Sequence, residues 1–253
     1  MEKQAIFKGR TSMLLYLLLV IPAFIVLWFL FLFLCGLFVN PNREYTQHSR
    51  FYRFLLDAST AMGFLLLRIR VHISGEEKLP PGPLLFVGNH RSNYDPLVTW
   101  YAFRSRNIAF VSKPSNFRIP FFGPIIRKCC FLPIDRSNPR NAIVTIQKAA
   151  ALLQQGQVSV GVYPEGTRSK TGTLLPFHNG VFKIAKRAQV PIAVICVQGT
   201  EQICKRTPWR RTDIWLDVLE VLPAHSVQRD KTDVIGAHVN CLLQENMRKK
   251  VSL

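Results

Sequence analysis

The sequence predicts an α/β fold: a mixed, mainly parallel sheet flanked by helices, preceded by an N-terminal membrane-associated two-helix segment. Three observations carry that expectation. Short apolar, β-branched runs stop abruptly at Gly, Asn or Pro, the mark of buried strands that end in loops. These runs alternate with longer helical stretches, as in a parallel sheet covered on both faces. Ahead of them, residues 13–39 contain no charged side chain.

The uncharged stretch comes first in the chain. As a helix it spans about 40 Å, enough to cross a bilayer with tilt. Pro22 lies within it, which membrane helices tolerate better than soluble ones. The run far exceeds the apolar region of a cleaved signal peptide, and Phe38-Val39-Asn40-Pro41 offers no small-residue cleavage site. Residues 51–67 are apolar but carry Arg53 and Asp57, so they read as an amphipathic, interfacial helix. Lys3, Lys8 and Arg10 precede the first helix, and Arg43, Arg50 and Arg53 follow it. A single crossing puts one of these clusters outside, against the positive-inside tendency. A helix pair that dips into one leaflet and returns keeps both on one side. Residues 1–67 are therefore expected to be membrane-anchoring helices and 68–253 a catalytic domain.

Within that domain, strands are expected at 70–74, 84–88, 108–112, 131–134, 158–162, 192–197 and 214–222. Helices are expected at 95–103, 138–155, 179–189 and 230–250. Pro80-Pro81-Gly82-Pro83 is a stiff connector within one domain, and there is no internal repeat or low-complexity tract.

A formal net charge of +18 calls for an anionic partner. Nothing in the chain has the form of a nucleic-acid-reading module, and the charge is dispersed, so nucleic acid is not the expected partner. An anionic membrane surface accounts for it better, and the attraction extends to phosphate-bearing substrates. The six cysteines form no CxxC and no metal-ligand spacing, which fits a reduced compartment. Cys129 and Cys130 sit in an apolar run and read as core residues.

Two polar islands carry the chemistry. Asn89-His90-Arg91-Ser92-Asn93-Tyr94-Asp95 follows the strand at 84–88, and Tyr163-Pro164-Glu165-Gly166-Thr167-Arg168-Ser169 follows the strand at 158–162. Loops beyond the carboxyl ends of strands are where open α/β sheets bind ligands. One loop thus brings a proton acceptor, His90, with Asp95 to orient it; the other brings Glu165 and a fixed cation, Arg168. The lesser alternative for Asp95 is to cap the helix that begins at Pro96, and the two roles are compatible. A His–Asp metal site is disfavoured, because zinc takes at least three protein ligands and no third is evident nearby. Arg168 is a bidentate donor matched to phosphate, and Gly166 lets the backbone turn close to a ligand. Glu165 has three open roles: holding Arg168, binding a substrate hydroxyl, or pairing with a helix end. Lys113 and Arg136, each just past a strand end, fall on the same rim and are candidate phosphate ligands; the alternative is ordinary surface cations. The apolar stretch 117–126 reads as the lining of a chain-binding channel, as a segment that dips into the membrane, or as a core helix and turn.

His-x4-Asp followed by Pro-Glu-Gly-Thr-Arg-Ser, with Phe131-Leu132-Pro133-Ile134-Asp135-Arg136 between them and Val190-Pro191-Ile192-Ala193-Val194 after them, resembles the glycerolipid acyltransferase family. The likeness is to the 1-acylglycerol-3-phosphate acyltransferases in particular and covers roughly residues 70–200. It implies transfer of a fatty acyl group from acyl-CoA or acyl-carrier protein to the sn-2 hydroxyl of 1-acylglycerol-3-phosphate, giving phosphatidic acid. His90 would be the base and Asp95 its orienter. Glu165, Gly166, Thr167 and Arg168, with Lys113 and Arg136, would bind the acceptor, and no cofactor is implied. His178 departs from the basic residue often found in that family stretch and is read as structural. The resemblance also implies monotopic attachment, with the catalytic domain on the cytoplasmic side of the inner membrane. Two rivals remain: another lysophospholipid acceptor, or a catalytically silent lipid-binding protein of the same fold.

Overall fold

The computed structural model describes residues 2–135 and 139–249. All but the last two residues of the uncharged stretch lie in a single helix, α1 (Glu2–Leu37), which continues through Pro22. Its Leu19–Leu37 portion is long and apolar enough to cross a bilayer, and only 11% of it is buried. That leaves a wide apolar surface for which water is a poor solvent. A second helix, α2 (Arg50–Leu66), packs antiparallel against it. Tyr52 Oη donates to the Cys35 carbonyl at 2.9 Å, and Trp28 Nε1 donates to Ser59 Oγ at 3.1 Å.

The rest of the chain builds one sheet and its covering helices. The first part contributes β1 (Ile69–Ser74), β2 (Leu85–Gly88), α3 (Asp95–Ala102), β3 (Ala109–Ser112), α4 (Gly123–Lys128) and β4 (Leu132–Pro133). The second contributes α5 (Pro139–Gln154), β5 (Val160–Val162), α6 (Lys183–Ala188), β6 (Ile192–Gln198), α7 (Ile203–Arg206), β7 (Thr212–Leu222), α8 (Ala224–Arg229) and α9 (Thr232–Lys249). All seven expected strands form, and they pair in the order β1-β7-β6-β2-β5-β3-β4. Every neighbouring pair is parallel except β6 and β7. The carboxyl ends of β6, β2, β5, β3 and β4 therefore share one edge.

Strand β2 lies at the centre, and all four of its residues are buried. Successive side chains of a strand point to opposite faces. Leu85 and Val87 accordingly pack with α5, α6 and α9, while Phe86 packs with α2, α3 and α4. Cys129 and Cys130 are buried in these layers, and burial pushes their thiols up to about 12 and about 11. Such thiols are inert core groups.

Several boundaries differ from the expectation. The helix expected from 179 opens as a 3-10 turn, Asn179–Phe182, before α6. The last helix begins at Thr232. The 117–126 stretch is a turn and a short helix, α4, with Phe117, Ile125 and Ile126 buried, which favours the core reading over a channel lining.

Arg53 fastens α2 to the sheet domain. Its side chain is buried, donating to the carbonyls of Asn107 at 2.9 Å, Cys129 at 3.3 Å and Ile108 at 3.5 Å. The guanidinium also lies 4.9 Å from the Trp100 ring centroid. Arg53→Met keeps the stem and removes the donors, leaving those carbonyls to compete for little else. Its unfolding free energy should fall by about 2–3 kcal/mol; an unchanged denaturant midpoint would remove Arg53 from the fastening.

Candidate active site

The site forms where β2, β5 and β6 end. Directly after β2, Asn89 is fully buried and bridges to β6: its Nδ2 donates to the Val197 carbonyl and its Oδ1 accepts from Val197 N, each at 2.8 Å. This pins the loop so that the next residue, His90, stands at the sheet edge. Its side chain is 16% exposed, enough for one face to reach a ligand. The imidazole stacks on Tyr163, with centroids 4.5 Å apart and planes 18° from parallel. Burial holds the Tyr163 hydroxyl well above its ordinary range, and Asp95 adds to that, so the ring is a neutral platform.

Asp95 reaches back across the turn as expected. Its fully buried carboxylate takes Oδ2 to His90 Nδ1 at 2.9 Å. The same oxygen accepts from Arg91 N at 2.6 Å and Ser92 N at 2.7 Å. The other oxygen, Oδ1, accepts from Thr200 Oγ1 at 2.5 Å. These partners lie upstream of α3 or at the end of β6, and the helix's own N-cap has no side-chain hydrogen bond. Asp95 therefore orients His90 and does not cap the helix. A carboxylate that collects donors is an acceptor toward His90 as well, so Nδ1 carries hydrogen and Nε2 keeps its lone pair. Nε2 is the basic atom of the site.

The second loop is laced to the first. Glu165 Oε1 accepts from His90 N at 2.6 Å, and Oε2 accepts from Leu175 N at 2.9 Å. Ser169 N donates to the His90 carbonyl at 2.8 Å. Glu165 is buried; burial raises its carboxyl above the ordinary range, and the two N–H donors pull the other way. Of its three open roles, holding Arg168 is not found. Gly166 has φ +68°, a left-handed turn that glycine adopts without strain. After it, Thr167 and Arg168 point into solvent, and Arg168 has no ion pair among the described residues. Lys113, just past β3, is also exposed. Strand β3 lies two strands from β2, about 10 Å across the sheet edge. Arg136 lies outside the described residues.

A cavity of about 560 Å³ opens beside the second loop. Tyr163, Pro164 and Gly166 form its site-facing wall, and Val111, Ile146 and Val181 give it an apolar lining. His178 faces this cavity as well, with Lys183 and Arg187 on its rim. Thr200, Tyr163 and Asn89 are the members of the site that sequence reasoning missed. Asn89 carried a signal: it stands inside the polar island, one residue before His90.

A model of the family described as Acyltransferase matches residues 70–198. A 1-acyl-sn-glycerol-3-phosphate acyltransferase of Salmonella typhimurium is 32% identical over 169 residues, covering 66% of this chain and 67% of that protein. The protein of that name from Escherichia coli gives the same values. The one from Saccharomyces cerevisiae is 29% identical over 189 residues, 73% of this chain and 62% of its own. Among solved structures, the 1-acyl-sn-glycerophosphate (LPA) acyltransferase PlsC from Thermotoga maritima superposes with TM-score 0.69 at 21% identity, covering 97% of this chain and 98% of that one. That likeness establishes the fold.

Thr200→Val removes one donor from the buried Asp95 carboxylate at nearly constant shape. Loss of a hydrogen bond to a charged group costs about 1.5–3 kcal/mol. Denaturant unfolding should register that loss, and a variant as stable as wild type would mean that Asp95 is held without Thr200.

Proposed function

Because this chain belongs to the acyltransferase family, we propose that it acylates the sn-2 hydroxyl of 1-acylglycerol-3-phosphate to give phosphatidic acid. The observation that carries the proposal is the His90–Asp95 pair with Nε2 unengaged at a sheet edge, beside an exposed Arg168 without an ion pair. A base held in one tautomer next to a fixed cation suits an acceptor that has both a hydroxyl and a phosphate.

In this reading the acceptor phosphate lies against Arg168 and Lys113, with its hydroxyl toward His90 Nε2. Nε2 takes the hydroxyl proton as the oxygen attacks the thioester carbonyl of acyl-CoA or acyl-carrier protein. The C–S bond then breaks, and the departing thiolate takes the proton back from Nε2. Substrate supplies the nucleophile, so no enzyme nucleophile is needed. Asp95 keeps Nδ1–H in place throughout and stabilises the imidazolium that forms between the two transfers. Glu165 acts by joining the two loops through His90 N and Leu175 N. The neighbouring cavity, apolar and within the size range of ligand pockets, suits an acyl chain.

The helix pair of residues 1–67 anchors the domain of residues 68–253, whose site works from the cytoplasmic side of the inner membrane. A water-insoluble acceptor then reaches the sheet edge from the lipid, while the soluble donor arrives from the other side.

His90→Ala should lower turnover by roughly 10²–10⁴-fold, the usual scale for a general base. A purified variant that turns over like wild type would end the dyad assignment. Arg168→Ala should raise the acceptor KM whatever the acyl chain. An unchanged acceptor KM together with altered chain-length preference would move Arg168 out of the phosphate site. Both are read with detergent-purified protein, labelled acyl donors of each kind and a panel of lysophospholipids. Transfer to a different acceptor would keep the mechanism and change the substrate; no transfer with folded protein would favour the silent lipid-binding reading.

A further inference from the structure

The segment between β6 and β7 carries Lys205-Arg206-Thr207-Pro208-Trp209-Arg210-Arg211. Trp209 is 85% exposed, the most exposed large apolar side chain among the described residues. A single exposed apolar side chain is ordinary on a protein surface; what sets this one apart is the run of cations flanking it and its place beside α2. The turn is ordered: Thr207 N donates to the Ile203 carbonyl at 3.0 Å and Arg210 N to the Arg206 carbonyl at 2.8 Å. Four cations flank Trp209 in the chain, all exposed. Among the described residues, Arg211 alone of the four has an acidic partner, Asp213 at 3.1 Å.

The position of the turn identifies its partner. Arg68, just past the end of α2, donates from Nη1 to the Trp209 carbonyl at 3.1 Å, and Thr212 N donates to the Arg68 carbonyl at 3.1 Å. The turn is thus tied to the carboxyl end of α2. That helix carries an exposed apolar stripe at helical spacing: Phe51, Phe54, Ala61 and Leu65, with Ala58 half-buried among them. The stripe is about 21 Å long, shorter than the roughly 30 Å hydrocarbon core. Cations stand at both of its ends, Arg43 and Arg50 at one and Arg68 with the turn at the other. A helix of that length with cations at both ends fits an orientation along a membrane surface, its stripe in the acyl region and its flanks at the head groups.

We propose that residues 205–211 form a second membrane contact, separate from α1, in which Trp209 enters the head-group layer of an anionic phospholipid bilayer and Lys205, Arg206 and Arg210 bind its phosphates. Tryptophan favours that depth because its ring is apolar and its N–H stays near water. With α1 packed along α2 and this turn beside the carboxyl end of α2, the bilayer meets the sheet domain as well as the helix pair.

The test uses the full chain in lipid nanodiscs. Trp209 fluorescence is isolated as the difference between wild type and Trp209→Phe, which removes the signals of Trp28, Trp100 and Trp215. In phosphatidylglycerol discs brominated near the head group, the Trp209 component should shift to the blue, lose most of its intensity and be shielded from aqueous acrylamide. The effect should weaken in phosphatidylcholine discs. It should also weaken in phosphatidylglycerol when the Trp209 component is isolated in a background carrying Lys205→Gln, Arg206→Gln, Arg210→Gln and Arg211→Gln, with circular dichroism confirming the fold. A Trp209 component open to acrylamide and untouched by brominated lipid would overturn the proposal and leave a protein partner as the occupant. Equal quenching in both lipids and in the glutamine background would overturn its anionic part.

Discussion

A buried carboxylate holds this site together. Asp95 is inaccessible to water, and its two oxygens collect donors from Arg91 N, Ser92 N, Thr200 Oγ1 and His90 Nδ1. Three of those donors come from consecutive residues of the loop after β2, and the fourth, Thr200, comes from the turn after β6, so one carboxylate ties the two together. Removing water raises the cost of leaving any of them unpaired, because a buried charge without its partners is strongly disfavoured. The same condition makes the geometry rigid, and it leaves His90 with one defined tautomer and one available nitrogen.

Around that centre, backbone groups do most of the positioning. Asn89 welds the start of the loop to β6, and Glu165 takes an N–H from each of two chain segments 85 residues apart, His90 and Leu175. Tyr163 lies flat against the imidazole. Side chains that would meet substrate are few and lie outside this frame: Arg168 and Lys113 are exposed. The division is physically sensible. A base would have to be fixed, which buried supports suit; a phosphate would arrive with its own hydration, which surface cations suit.

The strand pattern was legible because a run such as Val158-Ser159-Val160-Gly161-Val162 ending at Pro164 has few alternatives to a buried strand. The His90–Asp95 pair was legible for a similar reason, since five residues across a turn allow the carboxylate to reach back. Other features had no local signature. Helices α4, α7 and α8 run six, four and six residues, too short for a 3.6-residue period to register. The direction in which a strand pairs leaves no local mark on its own residues, so the 212–222 run did not announce that β7 is antiparallel to β6. Thr200 meets Asp95 across 105 residues, a contact that only the assembled sheet creates. Glu165 was ambiguous because a glutamate beside an arginine suggests an ion pair, whereas burial directs it to backbone N–H groups.

The proposed proton transfer depends on which nitrogen of His90 is free, and that can be measured directly. Protein labelled with ¹⁵N-histidine has six histidine spin systems, and the one missing in His90→Ala is His90. In the neutral ring, Nδ1 should show the shift of a protonated nitrogen with a bonded hydrogen, and Nε2 the shift of a lone-pair nitrogen. Hydrogen on Nε2, with Nδ1 bare, would contradict the account, because the atom assigned to take the acceptor's proton would already carry one.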